Sequence, residues 1–212
     1  MPRVSALIPT YERAEYVGGA IETVLAQSYA DIEAVVVNDG TRAVLKQYTE
    51  DDRVRVHHDE ANRGISFSFN RAAAEADCEL LCILGDDDRW HTEKVEQQVR
   101  QMDSLSDEYG VVYTGGVATK EGQVVQVDRP TWEGDIYPEI IAAWKLDPHS
   151  GHMLRREAFE AVGGFDTDLP RCVDREICIR LAKAYHFAYL DELLVERLVH
   201  GEISPTNRHK RM

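Results

Sequence analysis

Three consecutive carboxylates, Asp86, Asp87 and Asp88, stand one glycine beyond the apolar run Leu81-Cys82-Ile83-Leu84 and are followed by Arg89 and Trp90. An apolar run bounded in this way reads as a buried strand that delivers its acids to a cleft at its C-terminal end. Adjacent carboxylates repel, so packing gives no reason to gather three of them at one strand end. Two readings compete. One is a solvated turn in an acidic protein; the other is a hard-cation site, in which magnesium or manganese turns the repulsion into attraction.

The elements that must position these acids alternate along the first half of the chain. Strands are expected over 4–8, 32–37, 53–57 and 79–84, with the third the most exposed. Helices are expected over 14–27, 42–49 and 65–76, the first with Val17, Ile21, Val24 and Leu25 on one face. This alternation predicts βαβ units and a mostly parallel sheet, in which ligands bind outside the carboxyl ends of the strands. Pro9-Thr10-Tyr11, Asn38-Asp39-Gly40 and Asp86-Asp87-Asp88 all fall at such ends. A shared rim favours the metal site over a chance turn.

Beyond Trp90 the pattern predicts an amphipathic helix to about 105, a strand over 110–114 and a hairpin over 117–127. Residues 128–148, with three prolines and two tryptophans, are irregular and suited to walling a substrate pocket. A helix over 155–162 ends at Gly163-Gly164, a helix over 173–184 turns Ile177, Leu181 and Ala184 inward, and a strand covers 186–190. The expected organisation is one domain over 1–204, in two halves dividing at about 115–116. A mobile tail follows over 205–212.

A chain of 212 residues with 43% hydrophobic content supports one sizeable packed domain. A net charge of -14 argues against nucleic-acid binding and fits a salt-rich cytoplasm that screens self-repulsion. Cys78, Cys82, Cys172 and Cys178 show no Cys-x-x-Cys spacing and are expected to be buried free thiols. No charged-then-apolar leader opens the chain, and no window approaches about eighteen apolar residues. The expected location is cytoplasmic, with peripheral contact at the inner membrane face left open. Oligomeric state is not legible.

Several stretches together resemble glycosyltransferase family 2, inverting enzymes with the GT-A fold. They are Val4 through Arg13, Val36 through Thr41, Asn62-Arg63-Gly64 with Asn70, and Leu84 through Trp90. Gly163-Gly164-Phe165-Asp166, Asp174 with Arg180, and Arg197 through Gly201 complete the set. Each is weak alone; their order and spacing are specific, and they cover nearly the whole chain. Among better-known members the chain resembles the short spore-coat polysaccharide biosynthesis type. The resemblance implies an α/β, Rossmann-like nucleotide-diphospho-sugar transferase fold, its mostly parallel central sheet flanked by helices.

It also implies a metal-dependent enzyme moving a sugar from a UDP- or dTDP-sugar to a saccharide, lipid-linked or protein acceptor. The half to about 115 would bind the nucleotide and the half from about 116 the acceptor. Pro9, Thr10, Tyr11, Arg13, Asp39, Arg63 and Asp86 would bind the nucleotide sugar. Tyr11 would stack on the base, Asp39 would accept from its imide, and Asp86 would hold the ribose. Asp87, Asp88 and His200 would hold Mg2+ or Mn2+. Asp174 would be the general base that takes the acceptor proton. Gly85 replaces the first acid of the usual Asp-x-Asp-Asp run, and Asn38 and Val173 stand where many members carry acids.

Each assignment has a plainer rival. Asp39 is also a good turn residue, Asp174 a good helix-N-terminal acid, and His200 a surface histidine. His149 and His152 either line the acceptor pocket or are structural. Arg197 binds phosphate or pairs with nearby acids, and Trp90 reads as a packing residue. Among whole-protein rivals, a sugar-phosphate nucleotidyltransferase needs a Gly-rich basic loop where Pro9-Thr10-Tyr11 stands. A non-catalytic nucleotide-sugar-binding protein is the rival outside the enzymes.

Overall fold

The computed structural model describes residues 2–40, 48 and 50–200. The expected helix over 42–49 and the expected tail lie outside the described residues, Tyr48 excepted. Strands β1 (Val4–Thr10), β2 (Ile32–Asn38), β3 (Val54–His58) and β4 (Leu80–Ile83) form a parallel unit in the order β3-β2-β1-β4. Helices α1 (Ala14–Leu25) and α2 (Ile65–Glu75) supply crossovers. Both faces of this unit are covered. Val4, Ala6 and Ile8 pack with Val17, Ile21 and Val24 of α1, while Leu7 packs with Phe69, Ala72 and Ala73 of α2. Alternate residues therefore serve opposite cores, which is why β1 and β2 read as unbroken apolar runs.

The sheet continues past β4 with mixed direction. Beyond it come β8 (Met153–Arg155), β6 (Tyr109–Lys120), β9 (His186–Leu198) and β5 (Asp88–Trp90), with β7 (Gln123–Asp128) also paired to β6. The pairs β4–β8, β6–β8, β6–β7 and β5–β9 are antiparallel, and β6–β9 is parallel. Helix α3 (Lys94–Ser104) joins α1 on one face. Helices α4 (Tyr137–Ala142), α5 (Arg156–Ala161) and α6 (Val173–Ala184) join α2 on the other.

Five expectations need correction. The strand expected over 186–190 runs on to Leu198, held along its length by β6 and β5. The stretch 128–148, expected to be irregular, contains the helix Tyr137–Ala142, which opens with a proline in its first turn and buries Ile140. The strand expected to stop at 114 runs on to Lys120. Gly115 and Gly116 do not end it; they let neighbouring backbone approach, since a Cβ there would meet Asp128 O and Val195 O at 2.5 Å. Cys172 is exposed, because it caps α6 in a surface loop with φ 57. Ala184, the last residue of α6, is exposed, and Cys178 and Ala182 turn inward with Ile177 and Leu181. Among the described residues no helix is long and apolar enough to cross a membrane.

Candidate active site

The carboxyl ends of β1, β2 and β4 open on a cleft of about 340 Å³ whose lining includes Thr10, Tyr11, Arg13, Asp39, Ser68 and Asp86. In-register pairing of Thr10 with Asn38 sets the first two polar clusters side by side. The Thr10 hydroxyl donates to Asp86 Oδ2 at 2.8 Å, which ties the acid loop to the end of β1. Pro9 also lines the cleft, as does Tyr11, which is 49% exposed.

The three adjacent acids point in three directions. Asp86 faces the cleft and is 6% exposed. Burial pushes its carboxyl up to about 6, against the opposing pull of Arg13 and Thr10. Asp87 faces outward. Its Oδ2 accepts from Arg13 Nη2 at 2.6 Å and lies 3.2 Å from His200 Nε2. Arg13 Nη1 also reaches Asp86 Oδ1 at 3.0 Å, so one guanidinium bridges two carboxylates. Tyr16 packs against this corner, its ring 5.0 Å from the Arg13 guanidinium and 4.2 Å from the His200 ring.

Asp88 turns inward. It lies in β5 opposite Arg197 of β9, and its carboxylate accepts a hydrogen bond from the Ser150 hydroxyl. The same hydroxyl accepts from Gly85 N–H at 3.0 Å, and Ser150 O accepts from Trp90 Nε1 at 2.8 Å. Burial pushes Asp88 up to about 7. Arg197 pairs with Asp128 at 3.3 Å. Trp90 is buried, as a packing residue should be.

Asp39 is 3% exposed, and its two oxygens accept the N–H groups of Arg63 and Gly64 at 2.7 to 2.8 Å. It thereby shapes the loop 62–64, whose Gly64 begins α2 at φ 92. Each carboxylate oxygen retains further acceptor capacity. The Arg63 side chain lies 3.6 Å over the Phe67 ring. Asn70 exchanges two hydrogen bonds with the Phe165 backbone, both 2.8 Å, pinning the Gly163-Gly164-Phe165 loop against α2.

Asp174 stands in the first turn of α6, separate in sequence from every group above. Its charge acts on His149, which with Ser150 and Gly151 forms a single 3-10 turn leading into β8. That turn joins the two regions, since Ser150 holds Asp88 on one side and His149 neighbours Asp174 on the other. Ser150, Tyr16 and Ser68 were absent from the sequence-based site. Ser150 had a faint signal in lying between two histidines, whereas Tyr16 and Ser68 are indistinguishable from ordinary helix residues.

The Glycosyl transferase family 2 model matches residues 5–163. An uncharacterized glycosyltransferase of Nostoc sp. (strain PCC 7120) is 31% identical over 98% of this chain and 66% of its own length. A curated relative from Rickettsia bellii is matched over 30% of its length, so the chain spans less than two thirds of these relatives. S. aureus TarS 1–349 in complex with UDP-GlcNAc superposes with TM-score 0.77 at 17% identity, over 97% of this chain and 61% of that one. A Pyrobaculum calidifontis mannosyltransferase in complex with GDP-Man and Mn2+ gives TM-score 0.69 at 17% identity, over 96% and 58%. The fold is GT-A, and with three quarters of its length inside the family match the chain belongs to glycosyltransferase family 2.

Proposed function

We propose that this chain is a metal-dependent, inverting glycosyltransferase that moves a sugar from UDP or dTDP to an acceptor hydroxyl. The observation that carries this reading is the convergence of Thr10, Asp39 and Asp86 on one cleft with Asp87 and His200 at its edge. The UDP-GlcNAc complex of the TarS neighbour supports a uridine donor, and the mannosyltransferase with Mn2+ supports the metal.

The donor set at the edge fits a cation. His200 Nε2 is buried without a hydrogen-bond partner although Asp87 Oδ2 is 3.2 Å away. That spacing is close to the ~3 Å edge between two ligands in an octahedron with bonds of about 2.1 Å. Arg13 already seats a positive group between Asp86 and Asp87. Asp87 and His200 would therefore hold the ion, with Asp88 supporting the loop from behind through Ser150. Bound there, such an ion would supply positive charge for the departing diphosphate.

The protein's own groups do the rest. Asp39 accepts from the base imide with the lone pairs its loop contacts leave free, Tyr11 stacks on the ring, and Asp86 accepts from the ribose. Asp174 takes the acceptor proton from the face opposite the leaving nucleotide, which yields inversion. The acceptor is a saccharide, lipid-linked or protein hydroxyl, and residues 128–152 wall its side.

A thermal-shift panel of UDP-, dTDP- and GDP-sugars with Mg2+ and Mn2+ tests the donor, because binding raises stability by mass action. Metal-dependent shifts with UDP or dTDP are expected; a shift with GDP-sugars alone overturns the base assignment. Donor hydrolysis by wild type and Asp174→Asn then tests catalysis. Loss of turnover with unchanged donor binding is expected, and equal turnover removes Asp174 as the base.

A further inference from the structure

A second cluster of ligand-type side chains lies away from the acid loop, inside the core formed by β6, β8 and α6. The ligand atoms of His149, His152 and Cys178 all lie within 4.8 Å of one another. His152 is 1% exposed, and neither of its ring nitrogens has a hydrogen-bond partner. A buried imidazole with both nitrogens unpaired is costly, and a satisfied core histidine would not look like this. Aromatic rings close the cluster: Tyr113 lies 5.6 Å from the His152 ring and Phe165 6.0 Å from His149. His149 keeps partial exposure.

We propose that His149, His152 and Cys178 form a binding site for a zinc-class transition-metal ion. Two imidazoles and a thiolate suit zinc or cobalt and not magnesium or calcium, whereas the carboxylate-rich acid loop prefers the hard ions. The two sites therefore select different metals. Bonds of about 2.0–2.1 Å to nitrogen and about 2.3 Å to sulfur give tetrahedral edges near 3.5 Å. The cluster must tighten by about 1 Å, which side-chain rotation can supply.

Burial keeps both imidazoles neutral and the thiol protonated before the metal arrives. The ion takes a lone pair from each ring nitrogen and from sulfur, and the thiol proton leaves to solvent. The fourth position goes to water, and Asp174, one helical turn before Cys178, acts on both His149 and Cys178 through its charge. An ion here ties α6 to the 149–152 segment and fixes the helix turn that carries Asp174. The proposal stands independently of the donor and its nucleobase.

The test is a cobalt(II) titration of the full chain after chelator treatment, without nucleotide sugar, read by absorption. Expected is one thiolate-bound cobalt per chain, with a thiolate-to-cobalt band in the near ultraviolet and intense tetrahedral bands in the visible. Zinc should displace both. The bands should vanish in Cys178→Ser and His152→Ala, and persist in Cys172→Ser and in the Asp87→Ala, Asp88→Ala double variant. A folded wild type without the thiolate band overturns the site. So does a band that survives Cys178→Ser or is lost in Cys172→Ser, and the latter decides the matter even if the Cys178 variant does not fold.

Discussion

Lys94 is fully buried at the start of α3, with Nζ 4.0 Å from the Trp90 ring and its one side-chain hydrogen bond donated to Gln98 Oε1 at 2.7 Å. Among the described residues no carboxylate pairs with it, and burial lowers its pKa from 10.5 to about 8. Between these values the unfolded chain binds the proton that the folded chain has released, so stability rises with pH across the window. The difference amounts to about 3 kcal/mol, present as a penalty at neutral pH and gone near pH 10.5. Lys94→Met keeps the apolar stem against Trp90 and removes the charge. It also strands Gln98 Oε1, at a pH-independent cost of about 1–3 kcal/mol. At neutral pH the variant should thus lie between parity and about 2 kcal/mol more stable than wild type. The decisive measurement is urea unfolding of both proteins at several pH values from neutral to about 10. Other titrating groups cancel in the comparison, so the variant's relative stability should fall by about 2–3 kcal/mol over that range. A pH-independent difference would refute the claim that Lys94 is carried as a buried, unpaired amine.

Other consequences are equally direct. Asn70→Ala removes both hydrogen bonds to the Phe165 backbone and should cost about 2–3 kcal/mol in urea unfolding; a loss below about 0.5 kcal/mol means the loop is held by other contacts. Replacing Asp87 and Asp88 together with Ala should abolish manganese-dependent UDP binding in calorimetry, and unchanged affinity removes the metal from the acid loop. With a net charge of -14, the melting temperature should rise as potassium chloride screens self-repulsion, and a maximum at low salt speaks against that reading.

The parallel half of the fold was legible because its strands are buried on both faces and its helices carry one clear apolar stripe. Val4–Ile8 and Ile32–Val37 are long enough for such patterns to register. Strands β5 and β8 were not legible. Three residues each, they have no period, and they exist because β9 and β4 offer unpaired backbone at those points. The length of β6 was hidden by Gly115-Gly116, whose local preference to break a strand is overridden by close contact with β7 and β9. In the site, residue types at strand ends marked Thr10, Asp39 and Asp86 without help from the fold. Their partners were invisible for a different reason. Tyr16 and Ser150 matter only through where α1 and the 149–151 turn bring them.

The division among the three acids follows from the residue before them. A turn closes from Asp88 N–H to Gly85 O at 3.1 Å, and a Cβ on Gly85 would sit 3.1 Å from Asp88 Oδ2 and 3.5 Å from Asp87 Oδ1. A carboxylate at 85 would press a further negative charge against two others in a partly buried loop, which disfavours ionisation of all of them. Glycine avoids that crowding. Its N–H is left to the Ser150 hydroxyl, which in turn donates to Asp88 and draws that acid inward. Asp86 is committed to Thr10 on the cleft side. Asp87 alone of the three stays turned toward His200, so in the proposed metal site the cation-facing role falls on one carboxylate. Asp87→Asn alone should then weaken manganese binding as much as the double Ala variant does. Asp88→Asn, which can still accept from Ser150, should leave most of that binding in place, and equal losses from the two single changes would show that Asp88 reaches the ion as well.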